Sequence, residues 1–344
     1  MAECGSFYHK CKMRPLLVRL NEERRISRSL GRLGPAQFET LERFFRRKCH
    51  HLPTQLPLKS RVVALGDVHG DLMVLLAVLY MMKVVDKSAN WIGGTTVVVQ
   101  CGDILDRDGR SDASVSTTSN LREEVDILQY LHALDQQAQR QGGRVVSVLG
   151  NHEASNVYMD DEYSMYMMFQ TSPQVAGWGG LRKKQALFKP GGLVARWMAR
   201  HMPVVLQVGK FLFVHGGYKQ IQDQSPYQIA QDTSRALREG RRLPDIAKYI
   251  LTDRSGSCPL DSKWDGLVVG HTVVSEVKGT CKNRVWHVDV AMSEAFGRPL
   301  RLGALEIHPN MIRTFNYSKK KLTIRNYGID KELRDTEELH FSRT

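Results

Sequence analysis

A chain of 344 residues with 42% hydrophobic and 25% charged residues can bury one large core or two small ones, which excludes intrinsic disorder and a disulfide-stapled miniprotein. Its formal net charge of +13 would by itself suggest nucleic acid or an anionic membrane as partner. The excess is unevenly spread: residues 1–61 hold 14 basic and 5 acidic side chains, residues 308–344 hold 8 and 5, and residues 62–307 hold 27 and 26, so the basic character belongs to the ends.

In chain order, residues 1–60 read as a basic N-terminal arm with one amphipathic helix. Gly34-Pro35 starts that helix, Phe38, Leu41 and Phe45 fall on one face, and Arg43, Arg46, Arg47 and Lys48 cover the rest. Such a helix suits an anionic surface or a protein partner, and more commonly docks on its own catalytic domain. Residues 14–32 read as a flexible basic segment. Glu3, Glu22 and Glu23 speak against a transit peptide, which is usually poor in acid, so the cytoplasm is favoured and organellar targeting by the Arg-rich N-terminus stays open.

From residue 61 the chain alternates short β-branched runs with helical stretches, the pattern of an α/β domain over residues 61–310. Strands are expected at Arg61–Gly66, Thr96–Gly102, Arg144–Gly150, Pro203–Val208, Phe211–His215, Leu267–Gly270, Arg284–Val290 and Ala304–Ile307. Helices are expected at Asp71–Lys83, Asn120–Gln141 (capped by Ser119 or Asn120), Glu153–Phe169, Leu193–Arg200 and Pro226–Arg238. Residues 154–210 read as a cap-like insert and residues 311–344 as a polar C-terminal tail. The longest apolar run, Leu72 to Met82, is too short to span a bilayer. Cys4, Cys11, Cys49, Cys101, Cys258 and Cys281 form no C-x-x-C pair, so no zinc ribbon or disulfide framework is indicated and a reducing compartment is the default.

Several expected strands end in Gly followed at once by a metal-capable side chain: Gly66-Asp67, Gly102-Asp103, Gly150-Asn151, Gly270-His271 and, as a variant, Val214-His215-Gly216-Gly217. Ligands of α/β sheets gather at the carboxyl ends of strands, and Gly there lets backbone approach closely, so five such ends imply one shared site. Asp67, His69, Asp103, Asn151, His152, His215 and His271 supply carboxylate, imidazole and amide oxygen. That mixture suits Mn, Fe or Zn and is too rich in nitrogen for Ca or Mg.

Taken together, Gly66-Asp67-Val68-His69-Gly70, Gly102-Asp103-Ile104-Leu105-Asp106-Arg107, Gly150-Asn151-His152-Glu153 and His215-Gly216-Gly217 resemble the signature blocks of the calcineurin-like metallophosphoesterases, specifically the phosphoprotein-phosphatase superfamily. Trp91-Ile92-Gly93-Gly94, Val268-Val269-Gly270-His271-Thr272 and Val288-Asp289-Val290-Ala291-Met292-Ser293 look most like the Shewanella-like phosphatases. The resemblance spans about residues 61–307, thinly through 154–210, and does not reach the arm.

It implies a four-layer α/β/β/α sandwich and two divalent transition-metal ions, with Mn the expected metal in vitro. Asp67 and His69 would hold the first, Asp103 would bridge both, and Asn151, His215 and His271 would hold the second, the pair acidifying a bridging water for in-line attack on phosphorus. Arg107 would clamp the phosphate, with Asn151 and a second arginine, Arg254, beside it; Arg254 reads equally as an exposed residue of a polar loop. His152 would protonate the leaving oxygen, oriented by Asp106. The family turn Asp-Arg-Gly is replaced here by Asp106-Arg107-Asp108-Gly109. His201 and His287 match no ligand block and read as structural, the Tyr158–Phe169 stretch reads as helix packing or a substrate lip, and Arg182-Lys183-Lys184 and Lys319-Lys320-Lys321 as solvated charge.

The expected function is hydrolysis of phosphomonoesters, on phosphoproteins carrying phospho-Ser/Thr or phospho-Tyr. Alternatives are hydrolysis of a nucleotide pyrophosphate bond, in a dinucleoside polyphosphate or an RNA cap, for which a basic arm would suit a nucleic-acid end, and an inactive phosphate-binding module. No expected metal ligand is missing, which disfavours the last.

Overall fold

Short runs such as Val62–Leu65 and Val97–Gln100 are buried at every position, and a strand apolar on both faces is stable only between two covering layers. The computed structural model, which describes residues 43–46, 52–107, 121–158, 186–219, 224–255, 258, 263–297, 299–328 and 330–341, meets that demand with two sheets. The first half of the chain supplies β1 (Gln55–Leu56), β2 (Val62–Leu65), α1 (Leu72–Met81), β3 (Val97–Gln100), α2 (Leu121–Gln139), β4 (Arg144–Ser147) and α3 (Asn151–Tyr158). There follow α4 (Leu193–His201), β5 (Val205–Val208), β6 (Phe211–Val214), α5 (Pro226–Glu239), α6 (Asp245–Thr252), β7 (Gly266–Val269), β8 (Lys278–Thr280) and β9 (Val285–His287). Then come a 3-10 turn (Glu294–Phe296) and β10 (Arg301–His308), β11 (Met311–Ser318), β12 (Lys321–Gly328) and β13 (Leu333–His340).

One sheet has the order β13-β12-β11-β10-β2-β3-β4 and the other β1-β5-β6-β7-β9-β8. Within the first, β2, β3 and β4 are parallel, joined by the crossover helices α1 and α2. Within the second, β6, β7 and β9 are parallel, with α5 and α6 between β6 and β7. Helices α1 and α2 cover the first sheet, and α5, with α4 against it, covers the second, giving the expected α/β/β/α layering. Local sequence explains the helix ends: Ser225 caps α5 with Pro226 in its first turn, and Gly240 ends it at φ 72°.

All eight expected strands and four of the five expected helices are present, the fifth, Glu153–Phe169, being seen as far as Tyr158 with its remainder outside the described residues, and three expectations are corrected. The polar tail expected over residues 311–344 is not what the described residues form: β11, β12 and β13, between Met311 and His340, extend the first sheet as an antiparallel meander. Ile312, Thr314 and Phe315, then Leu322, Thr323 and Ile324, are buried, while Lys319 and Lys320 form the tight turn at positive φ. Half-buried strands with this many polar residues have the composition of a tail but the register of a sheet.

Residues 154–210 are likewise not all cap, since β5 sits inside the second sheet between β1 and β6; residues 159–185, including most of the Tyr158–Phe169 stretch and Arg182-Lys183-Lys184, lie outside the described residues. Cys258 and Cys281 are joined in a disulfide, the turn between β8 and β9 being brought beside the loop after α6; their spacing of 23 residues carries no motif that would announce it. The structure also adds β1, β8 and α6, which are too short or too irregular in sequence to be read locally. Of the arm, Phe44 and Phe45 are buried against Trp197 of α4, with His132 of α2 edge-on to Phe44, while Arg43 and Arg46 are exposed. Phe38, Leu41, Ser119 and Asn120 lie outside the described residues.

A buried ion cluster fastens β10 to its neighbours. Glu306 is 2% exposed and faces Arg61, Arg313 (2.6 Å) and His308 (3.4 Å). Burial alone would raise its carboxyl, but His308, Arg61 and Arg313 hold it down at about 2, against 4.5 ordinarily. Because the folded value lies below the unfolded one, this stabilisation is complete above pH ~4.5 and disappears as pH falls towards 2. Glu306→Gln should therefore cost about 3 kcal/mol at pH 7 and flatten the acid limb between pH 2 and 5, measurable by urea unfolding across that range.

Candidate metal centre

The carboxyl ends of the two parallel strand triples, β2-β3-β4 and β6-β7-β9, converge. Gly66 makes the approach possible: a Cβ there would lie 2.5 Å from the Val288 carbonyl oxygen, just beyond β9. Gly150 does the same for the neighbouring loops, where a Cβ would lie 2.2 Å from the Asp103 amide nitrogen.

Two groups of buried side chains result, Asp67, His69 and Asp103, and Asp103, His215 and His271, the candidate ligand atoms of each lying within 4.8 Å of one another. Asp103 belongs to both. His69 Nε2 stands 3.8 Å from both Asp67 Oδ2 and Asp103 Oδ2, too far for a hydrogen bond and suited to sharing one cation. His215 Nε2 is 3.3 Å from Asp103 Oδ2 and 2.8 Å from Asn151 Oδ1, which brings Asn151, the first residue of α3, into the second group. The other ring nitrogens face backbone acceptors: His69 Nδ1 lies 2.9 Å from the Leu105 carbonyl and His215 Nδ1 lies 2.8 Å from that of Cys101. This is the orientation that metal-binding imidazoles require, with Nδ1–H donating and Nε2 left to the ion, so the donor set fits a divalent transition metal.

The backbone is strained where the chemistry is. His69 (φ 38°), Asp103 (54°), Asp106 (61°) and His271 (59°) all occupy the left-handed region. Each costs ~1–3 kcal/mol for a non-glycine residue, which the surrounding hydrogen bonds must offset. Glu153 is central among them. Its Oε2 accepts from the amides of Asp103 and Gly150 (both 2.9 Å), and its Oε1 from those of Ile104 (2.8 Å) and Leu105 (3.0 Å), so one buried carboxylate ties the Asp103 loop to the Asn151 loop. Asp103 Oδ1 accepts from the His152 amide (2.9 Å), and Asp67 from the His271 amide (3.2 Å).

The electrostatics are those of a buried anionic pocket. Burial and the nearby Asp289 push the Asp67 carboxyl well above its ordinary value. Burial would do the same to Asp103, but His215, His152 and His69 hold it well below. His215 is pushed up to about 10, Asp103 and Asp67 outweighing the burial that opposes its charge, whereas burial, His215 and Arg254 depress His271 to about 3.

Beside the two groups, His152 Nδ1 is 2.8 Å from Asp106 Oδ2, which also accepts from Asn156 Nδ2 at 2.7 Å. Glu124 of α2 accepts from the amides of Asp106 (2.9 Å) and Arg107 (3.4 Å). Arg107 Nη2 meets Glu294 Oε2 at 3.3 Å. Arg254 donates through Nη1 to the His271 carbonyl at 2.8 Å, which places it at the rim of the second group. Every expected site residue is therefore within this one region, while Asp108 lies outside the described residues.

His201, in the last turn of α4, is stacked on Trp197 and held by its carbonyl; His287, at the end of β9, meets Thr280; neither is in a ligand group. Sequence reasoning assigned no role to Glu153, Glu124, Asn156, Asp71, Asp289 or Glu294. Glu153 and Asp289 stood inside recognised blocks, but nothing in their spacing shows that one braces two loops and the other charges Asp67.

A family model, calcineurin-like phosphoesterase, matches residues 60–275, well over half the chain, including both ligand groups. The chain belongs to the calcineurin-like phosphoesterase family. It is accordingly a metal-dependent phosphoester hydrolase. Among curated proteins this phosphoesterase is 25% identical over 302 residues to Shewanella-like protein phosphatase 2 of Arabidopsis thaliana, covering 71% of this chain and 74% of the plant protein. It is 26% identical over 299 residues to Shewanella-like protein phosphatase 1 of Plasmodium berghei, covering 77% and 74%. Among solved structures, the cold-active protein-tyrosine phosphatase of a psychrophilic Shewanella species superposes with a TM-score of 0.58 at 20% identity, covering 78% of this chain and 83% of that one, so the two share a fold. No helix among the described residues is long and apolar enough to cross a membrane.

Proposed function

We propose that this phosphoesterase is a phosphomonoesterase acting on phosphoproteins. The observation that carries the reading is the His152–Asp106 pair, with Arg107 following Asp106 directly, set against two ligand groups that share Asp103. Asp67, His69 and Asp103 would hold one divalent ion, and Asp103, Asn151, His215 and His271 a second, with Mn the first metal to test. Bound there, the ions supply Lewis acidity and an acidified water for in-line attack.

The chain's own residues do the rest. Arg107 and Asn151 orient the phosphoryl oxygens, and Arg254 approaches from the rim. Asp106, itself held by Asn156, takes the Nδ1 proton of His152 in a hydrogen bond, which turns Nε2 towards the leaving oxygen as proton donor. The phosphoprotein substrate is supported by the two Shewanella-like protein phosphatases among the relatives.

The test is turnover by Mn-loaded protein of a phosphotyrosine peptide, a phosphothreonine peptide, a dinucleoside tetraphosphate and capped RNA in one assay. Release of phosphate from at least one phosphopeptide, with the pyrophosphate substrates untouched, is expected; preference for either pyrophosphate substrate overturns the reading. Metal analysis should return close to two ions per chain, and fewer than about one would remove the binuclear arrangement.

A further inference from the structure

The segment after β9 builds a second feature at the rim of the centre. Asp71, the cap of α1, accepts from the Val74 amide through Oδ1 (3.1 Å) and from the Glu294 amide through Oδ2 (3.0 Å). Ser293 Oγ donates to the His69 carbonyl (3.3 Å) and accepts from the Ala295 amide (3.2 Å), and the Phe296 ring lies 5.5 Å from that of His69. The 3-10 turn is thereby fastened to the loop that carries Asp67 and His69. Its one acidic side chain, Glu294, is half-buried and directed at the Arg107 guanidinium, 187 residues away in sequence.

From this we propose that Glu294 sets the affinity of the site for phosphate by countering the charge of Arg107. A guanidinium can donate to a carboxylate and a phosphate together, so Glu294 leaves Arg107 competent while placing a fixed negative charge beside the bound dianion. Like charges a few ångströms apart at a half-buried site weaken each other's binding strongly. The consequence is a site that orients phosphate without retaining it, so that the inorganic phosphate product leaves readily. The inference rests on the proposed role of Arg107 as phosphate clamp.

Glu294→Gln tests it at constant shape, because the amide oxygen still accepts from Arg107 while the charge is gone. In Mn-loaded enzyme the inhibition constant for inorganic phosphate should fall about tenfold, and KM for p-nitrophenyl phosphate should fall with it, a shift of one decade in binding. Glu294→Asp, which keeps the charge but draws it back, should give an intermediate fall. In an Arg107→Ala background, Glu294→Gln should lose part of its effect, because the guanidinium no longer holds the carboxylate beside the dianion, while the repulsion between the two charges persists.

An unchanged or raised phosphate inhibition constant in Glu294→Gln, with Arg107→Ala alone weakening phosphate, overturns the proposal and leaves the clamp standing. If Arg107→Ala leaves phosphate binding unchanged, the clamp and the proposal fall together. A purely structural role for Glu294 would lower kcat and the unfolding temperature without tightening phosphate.

Discussion

Asp103→Asn is expected to lower kcat by about 10³-fold or more on any phosphate ester, more than substitution of any other single candidate ligand, because in the proposed two-ion centre several kcal/mol of charge stabilisation would depend on this one carboxylate. Asp103 is the one side chain common to the two ligand groups, and its Oδ2 lies within 3.8 Å of His69, His152 and His215 at once. Removing its charge disconnects both groups, whereas His69 or His271 serves one. The variant should nevertheless fold: Asn is among the few residues at ease in the left-handed backbone that Asp103 adopts, and the loop is still held by Glu153. The check is metal content by mass spectrometry alongside kcat and circular dichroism. Near-normal metal content and turnover in a folded Asp103→Asn protein would refute the shared-ligand assignment.

The second large effect concerns the proton. His152→Asn should cost about 10²–10⁴-fold in kcat on a phosphopeptide, the usual worth of a positioned general acid. It should cost far less on p-nitrophenyl phosphate, whose leaving group needs little protonation. The contrast distinguishes an acid from a residue that merely shapes the pocket, since loss of shape would slow both substrates alike. Asp106→Asn should act in the same direction, and the double variant should be little worse than His152→Asn alone, because the two side chains form one unit through the 2.8 Å contact at Nδ1. Equal losses on both substrates would remove the acid assignment while leaving the metal ligands untouched.

Much of this centre was legible because strand ends are local. A run of β-branched residues, a glycine and a ligand-bearing side chain form a unit of five or six residues; Asp67, Asp103, Asn151 and His271 each close such a unit, while His215 follows its strand directly and precedes Gly216-Gly217. The supporting groups are different in kind. Glu153 accepts four backbone amides from two loops, Glu124 reaches Asp106 and Arg107 from α2, and Glu294 approaches from a turn after the last parallel strand. A carboxylate that binds backbone amides leaves no periodicity or spacing, so nothing short of the folded loops marks it.

The uneven charge of the chain also became clearer. Phe44 and Phe45 tie part of the basic arm to α2 and α4, so this part of the arm is anchored on the hydrolase, with Arg43 and Arg46 left at the surface. The charge that matters at the centre is instead of the opposite sign, with Asp67, Asp103 and Asp289 buried together and Glu294 facing Arg107.

By itself the sequence determined the α/β class, the positions of the strands around the centre and the metal-capable side chains at their ends, since each follows from hydrophobic pattern and a few adjacent residues. Only the tertiary structure decided that residues 311–340 complete a sheet, that Cys258 meets Cys281, and that Glu294 opposes Arg107. Those outcomes depend on encounters between segments distant in the chain, whose energies come from burial and charge at the meeting point and leave no trace in the local order of residues.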